Sequence, residues 1–212
     1  MDLVRSIIDV FLHLDQHLSQ VISRYGGWTH LILFGIIFCE TGLVITPFLP
    51  GDSLLFAAGT FAALGALDLR LIVLLLVVAA ILGDSVNYWV GAYIGPRAFS
   101  GNVRFLRQEY LERTHAFYEK HGGKTIILAR FVPIIRTFAP FVAGVGAMSY
   151  PKFLTYNVMG AVLWVGLFVL GGYFFGSIRM VRENFTLVIL AIIAVSVTPI
   201  VFEAVRTRRR PA

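Results

Sequence analysis

Five charged side chains fall inside or beside strongly apolar stretches of this sequence: Glu40, Asp52, Asp84, Arg130 and Arg136. The stretch "ETGLVITPFLPGDSLLFAAG", residues 40–59, sets Glu40 and Asp52 around Pro47, Pro50 and Gly51. The stretch "ARFVPIIRTFAPFVAGVGAM", residues 129–148, sets Arg130 and Arg136 around Pro133 and Pro140. A charge at the centre of a transmembrane helix costs roughly 2.5–3.5 kcal/mol on insertion scales, so each of these groups needs a partner, water or a neutral state. Two chemistries follow from the residue types. A guanidinium offers a planar fork of donors that matches phosphate oxygens, and the Thr137 hydroxyl beside Arg136 adds one more, which suits an anionic headgroup. A membrane-embedded carboxyl takes or releases a proton according to whether an arginine lies beside it, which makes Glu40 a proton carrier. Asp52 and Ser53, in "PGDS", serve equally as caps for the helix that follows. Asp84 and Asn87, one turn apart, are expected to face the protein interior, as helix-packing hydrogen bonders before substrate contacts. The plain alternative is a pair of salt bridges that only hold two segments together. Desolvation consumes much of the Coulomb gain of such bridges, so this is the less economical reading.

The chain around these residues is that of an integral membrane protein. Of 212 residues, 58% are hydrophobic and 14% charged, with a mean hydropathy of +0.80; soluble domains carry about 25% charged residues. Residues 153–178 and 185–202 contain no charged side chain, and each is long enough for the ~30 Å hydrocarbon core. Their sequences do not alternate polar and apolar residues, which excludes barrel strands and leaves helices. The N-terminal "MDLVRSIIDVFLHLDQHLSQVIS" lacks the basic start and cleavage site of a signal peptide, and its apolar residues recur at helical spacing between acids, as in an interfacial amphipathic helix. The single Cys39 excludes an internal disulfide. The basic "RTRRRPA" after the last apolar span places the C-terminus on the cytoplasmic side.

Prolines break helices and bias the preceding residue toward extended backbone, so 28–67 and 125–149 each read as two short arms around a break. The breaks are expected at Pro47, Pro50 and Gly51 in the first and at Pro133, Pro140 and Gly144 in the second. The two segments correspond: Glu40 stands ten residues before Pro50 and Arg130 ten before Pro140, and Ala58-Gly59 answers Ala143-Gly144. Paired interrupted segments in two halves of a membrane protein point to a transporter-like site near the midplane. The resulting fold is all-α, with two inverted re-entrant hairpins, about three transmembrane helices and an N-terminal amphipathic helix. Its expected order is the amphipathic helix 1–27, then one membrane domain 28–205, then the basic tail 206–212. Within the domain lie the first hairpin 28–67, a span 71–95, a polar connection 96–124, the second hairpin 125–149 and spans 153–178 and 185–205. Hairpins that enter from opposite faces bring Glu40 and Asp52 within reach of Arg130 and Arg136.

These residues also carry a family resemblance. Glu40 with "PFLPGDS" at 47–53, "GD" at 83–84 with "NY" at 87–88, "RFVPIIRTFAPFVAG" at 130–144 and "NVMGAVLW" at 157–164 resemble the DedA family of bacterial membrane proteins, whose eukaryotic relatives share its VTT, or SNARE-associated Golgi, domain. The resemblance covers roughly residues 28–176. It implies two oppositely oriented re-entrant hairpins, translocation of lipids such as undecaprenyl phosphate across the cytoplasmic membrane, and dependence on proton-motive force. The family's essential acids and arginines fall on Glu40, Asp52, Arg130 and Arg136.

The function expected is therefore that of a flippase or scramblase for a phosphate-headed lipid, most of all undecaprenyl phosphate, coupled to protons, in the bacterial inner membrane. The alternatives are a proton-coupled ion or small-solute antiporter, a phospholipid scramblase, and a non-transport membrane assembly factor. Arg130, Arg136 and Thr137 hold the phosphate in this reading, Glu40 and Asp52 couple or gate, and Ser53, Asp84 and Asn87 support. No HExxH, GxSxG, Walker-type or zinc-ligand pattern occurs, so no enzyme activity, metal or cofactor is expected. The partners expected are a membrane lipid and protons and not nucleic acid, with a homo-oligomer left open.

Overall fold

The structure, a computed structural model, describes residues 14–43, 51–100, 123–176, 178–192 and 198. Among them there is no strand. The helices are α1 (Leu14–Tyr25), α2 (Thr29–Gly42), α3 (Gly51–Ala63), α4 (Leu69–Ser100), α5 (Lys124–Ala129), α6 (Pro133–Val145), α7 (Tyr150–Phe175), α8 (Arg179–Glu183) and a last helical run, 185–192. By length and composition three stretches can cross a membrane: Gln16–Gly42, Leu69–Gly95 and Tyr150–Phe175. This is an all-α membrane protein.

Of the helix expected over 1–27, residues 1–13 lie outside the described residues and Leu14–Tyr25 forms α1, which a single 3-10 turn, Gly26–Trp28, joins to α2. Gly26 takes φ +52, a left-handed conformation that costs glycine little, and so lets the chain end one helix and restart at once. The polar Asp15, Gln16 and Gln20 lie in the first turns of α1 and Arg24 in its last, and the strongly apolar run is α2. The polar connection also starts later than 96, because α4 continues to Ser100. Residues 101–122, most of 193–212 and the first proposed break at Pro47 and Pro50 lie outside the described residues.

Within the chain, contacts group into two compact units. The first comprises Met1–Leu33, Pro50–Leu75 and Val165–Ala212, the second Phe34–Leu49 and Leu76–Trp164. Glycine governs the packing in each. In the first unit α3 is buried along nearly its whole length, and it meets the C-terminal half of α7 backbone to backbone. A Cβ added at Gly59 would stand 2.0 Å from the Val169 carbonyl oxygen, and one at Gly172 would stand 1.9 Å from that of Phe56. Thr60 completes this seam by donating its hydroxyl to the carbonyls of Phe56, 3.1 Å, and Gly172, 3.3 Å. Lipid provides no hydrophobic force between helices, so close approach of small residues and hydrogen bonds of this kind bind them.

In the second unit α6 lies on α4 through the same device. A Cβ at Gly91 would stand 2.1 Å from the Phe141 carbonyl oxygen, and one at Gly144 would stand 2.1 Å from that of Tyr88. The core around the seam contains Tyr88, Ile126, Ala129, Ala139, Ala143, Met148 and Phe153. Tyr88 stacks on Phe153 at 4.6 Å between ring centroids and donates its hydroxyl to the Met148 carbonyl. The second arm of each interrupted segment thus packs on the long helix that follows the other: α3 on α7, and α6 on α4.

The second break is sharper than the sequence reading had it. Helix α5 ends at Ala129 with Arg130 as its C-cap, Val132 is extended at φ −119 and ψ 107, and Pro133 opens α6, as the restriction before proline and the fitness of proline for the first helical turn require. Pro140 and Gly144 are not breaks: both lie within α6. Pro140 withholds an N–H from the Arg136 carbonyl one turn earlier, and at the next carbonyl a neighbouring helix reaches in, with Asn87 Nδ2 donating to that of Thr137 at 2.7 Å. Gly144 is needed for its seam with Tyr88.

The seams predict opposite effects for the same change. Gly166 has nothing within 4 Å of an added Cβ, so Gly166→Ala should leave thermal unfolding in detergent unchanged or slightly raised, since alanine favours helix. Gly144→Ala should destabilise by about 1–3 kcal/mol, the usual range for overpacking. Equal unfolding temperatures for the two variants would refute the seam.

Candidate functional site

All the residues of the site described next belong to the second unit. Three helical faces and one break supply it. On α4, Asp84, Asn87, Tyr88 and Gly91 stand at i, i+3, i+4 and i+7, hence on one face. On α7, Asn157, Gly160 and Trp164 repeat that spacing. Helix α2 brings Glu40 and Thr41 in its last turn, and the break before Pro133 brings Arg130, with Arg136 and Thr137 following in the first turns of α6.

The charges among them are sealed from solvent: Glu40 and Arg130 are 1% exposed, Asp84 2% and Arg136 3%. They form two ion pairs. Arg136 Nη2 donates to Glu40 Oε1 at 2.5 Å. Arg130 Nη2 donates to Asp84 Oδ2 and to Asn157 Oδ1. The four charges sum to zero, the arrangement in which buried ions are tolerable. Trp164, wholly buried, lies under both cations, its ring centroid 4.7 Å from Cζ of Arg136 and 5.8 Å from Cζ of Arg130.

Two asparagines fix the backbones that carry these charges. Asn157 Nδ2 donates to the Ile81 carbonyl at 3.1 Å, tying α7 to α4. Asn87 Nδ2 donates to the carbonyls of Thr41, 3.3 Å, and Thr137, 2.7 Å, each the residue after a member of the Glu40–Arg136 pair. Gly160 leaves room for the Arg130 stem, since a Cβ there would stand 3.3 Å from Arg130 Nε. Hydrogen-bonding capacity also remains in the cluster: Asp84 Oδ1, Asn87 Oδ1 and Arg130 Nε and Nη1 are buried and make no hydrogen bond among the described residues. The site can therefore still donate and accept.

The structure brings Glu40, Asp84, Asn87, Arg130, Arg136 and Thr137 into one unit. Asp52 and Ser53 belong to the other, buried in the first turn of α3, with Gly51 as its first residue. Asp84, read from the sequence as a packing residue, is an ionic partner of Arg130; Asn87 is the packing residue. Asn157 and Trp164 were not singled out. A polar residue inside a charge-free span, with an indole two turns further on the same face, was the available signal.

Residues 49–174 match the VTT domain family. Over its whole length the chain is 58% identical to Protein DedA of Escherichia coli, covering 98% of that protein. The chain belongs to the DedA family. It is also 46% identical to an uncharacterized membrane protein of Mycobacterium leprae, over 80% of this chain and 76% of that one. Identity to the Escherichia coli inner membrane protein YqjA is 37%, over 71% of this chain and 69% of that one. No solved structure matches. In this DedA-family chain the buried charges sit among helices apolar enough to cross a bilayer, and the relatives are named membrane proteins. No group of three or more His, Cys, Asp or Glu side chains that could hold a metal occurs among the described residues.

The Glu40–Arg136 pair predicts a strongly non-additive double-mutant cycle. Either Glu40→Gln or Arg136→Met alone leaves a buried charge without its partner and should destabilise by about 3–5 kcal/mol. The double variant should lose much less than the sum of the two, read by unfolding in detergent. Additive losses would mean that the two side chains are not an energetic unit.

Proposed function

We propose that this protein moves a phosphate-headed lipid, undecaprenyl phosphate before ordinary phospholipids, across the bacterial inner membrane, acting as a transporter and not as an enzyme. One observation carries the reading: two buried guanidiniums of one unit, each held by a carboxylate or amide that a phosphate can replace, within a helical membrane protein. Phosphate oxygens satisfy the guanidinium fork as carboxylate oxygens do, and the tail of the lipid stays in the bilayer while the headgroup alone needs a polar path. Arg130 and Arg136 bind the phosphate, with Thr137 beside them.

Charge balance links this binding to protons. The empty cluster is neutral, so an entering phosphate brings a net negative charge into a medium that tolerates none. Protonation of an acid restores the balance. Glu40, released from Arg136 by the phosphate, is the first acid to take that proton, and Asp52, buried at the start of α3, is the second coupling group. The hairpins enter from opposite faces of the membrane, and the arginine-rich C-terminus lies in the cytoplasm, where such runs favour the inner leaflet.

Translocation of undecaprenyl phosphate in proteoliposomes, with a common phospholipid in parallel, tests this. The wild type should move the carrier lipid, Arg136→Ala should abolish movement while remaining folded, and Glu40→Gln should remove its dependence on an imposed pH gradient. Undiminished transport by Arg136→Ala would overturn the phosphate-binding role, and equal movement of both lipids would replace selectivity with scrambling. Movement of neither lipid, with cation flux under a pH gradient, would replace lipid transport with antiport.

A further inference from the structure

We infer that Trp164 is the positioning residue of this site: its indole holds the guanidiniums of Arg130 and Arg136 in place without occupying their hydrogen-bond donors. The inference rests on the headgroup reading above.

Trp164 is among the largest fully buried side chains of the chain, and the cations it touches are two of the least exposed. Its ring faces Cζ of Arg136 at 4.7 Å and Cζ of Arg130 at 5.8 Å, both within the ~6 Å range of cation–π attraction, for which indole is the best ring. Two like charges beside one another repel, and in an apolar interior the repulsion is weakly screened. The carboxylates of Glu40 and Asp84 offset it in the empty site. A phosphate that displaces a carboxylate takes that support away at the moment of binding. The indole remains.

Geometry explains why an aromatic ring serves here and another acid would not. A guanidinium donates its five N–H groups in its own plane, toward its edges, whereas its faces are free. The Nη2 donors go to Asp84 and Asn157 from Arg130 and to Glu40 from Arg136, and the indole beside them attracts both cations while taking none of these bonds, which leaves them to phosphate oxygens in their stead. A third carboxylate would compete with the ligand for the same donors. Helix α7 is built for this contact: Asn157 grips Arg130 one side of it, Gly160 clears space for the Arg130 stem, and Trp164 follows on the same face. Substituting another large apolar residue would fill the volume and lose the attraction.

The test exploits that difference. Trp28 and Trp89 are 70% and 55% exposed, so Trp28→Phe/Trp89→Phe leaves Trp164 as the single tryptophan of the chain. In this background, mono-, di- and trifluorotryptophan are placed at position 164 by nonsense suppression; fluorine drains the ring's negative face with little change of shape. Binding of radiolabelled undecaprenyl phosphate in detergent micelles is measured for each, beside Trp164→Phe and Trp164→Leu. Affinity should fall stepwise with each fluorine, Trp164→Phe should keep part of it, and Trp164→Leu should lose about thirty-fold, the equivalent of a desolvated cation–π contact. Unfolding of the lipid-free protein should follow the same order.

If fluorination changes neither affinity nor unfolding while Trp164→Leu impairs both, Trp164 is a packing residue and the inference is overturned. If the unfluorinated protein binds no lipid phosphate, the headgroup reading fails instead. In that case the unfolding series alone decides whether the indole holds the arginines: a stepwise fall supports it, and a flat series overturns it.

Discussion

The constraint on which the second unit depends is the burial of four formal charges where neither water nor a high dielectric is at hand. Removing ions from water carries a penalty that only close opposite charges and complete hydrogen bonding offset. Each element of the unit can be understood as answering that demand. Helix α2 brings Glu40, α4 brings Asp84, the break before Pro133 brings Arg130, and α6 brings Arg136. Helix α7 brings an amide and an indole. Chains that span membranes rarely keep such groups unless they act, because hydrophobic residues of the same volume would hold the helices together as well or better.

The glycine seams make that geometry reachable. Arginine and glutamate are long, but they meet at hydrogen-bond distance only if the helices bearing them approach closely, and α4 is approached on two sides. At Gly83 an added Cβ would stand 2.8 Å from the Phe38 carbonyl oxygen of α2, and at Gly91 it would stand 2.1 Å from the Phe141 carbonyl oxygen of α6. Between these two glycines lie Asp84 and Asn87, so the small residues and the polar residues of "GDSVNYWVG" are parts of one device.

Much of this was legible in the residues. A helical membrane protein followed from hydropathy, and the need of Glu40, Arg130 and Arg136 for partners followed from the penalty on membrane charges. The spacing of Asp84 and Asn87 placed them on one interior face. Pairing was less legible, because an ion pair depends on which helices are neighbours and not on sequence distance: Glu40 and Arg136 are 96 residues apart. Pro140 misled because a proline inside a membrane helix does not have to end it, the surroundings being able to tolerate one freed carbonyl. Trp164 was hidden in plain composition, since an indole in an apolar span looks like core until the arginines beneath it are placed.

Asn87 has a kinetic consequence. Its amide bonds the carbonyls of Thr41 and Thr137, the residues next to Glu40 and Arg136. While those two bonds last, the backbones that carry the ion pair keep a fixed separation, and what can change is the torsion of the two long side chains. Glu40 and Arg136 are both buried, so those torsions turn inside a packed interior and at a pace that the packing sets. A rearrangement of the Glu40–Arg136 pair therefore begins in two side chains and not in a separation of the helices that bear them.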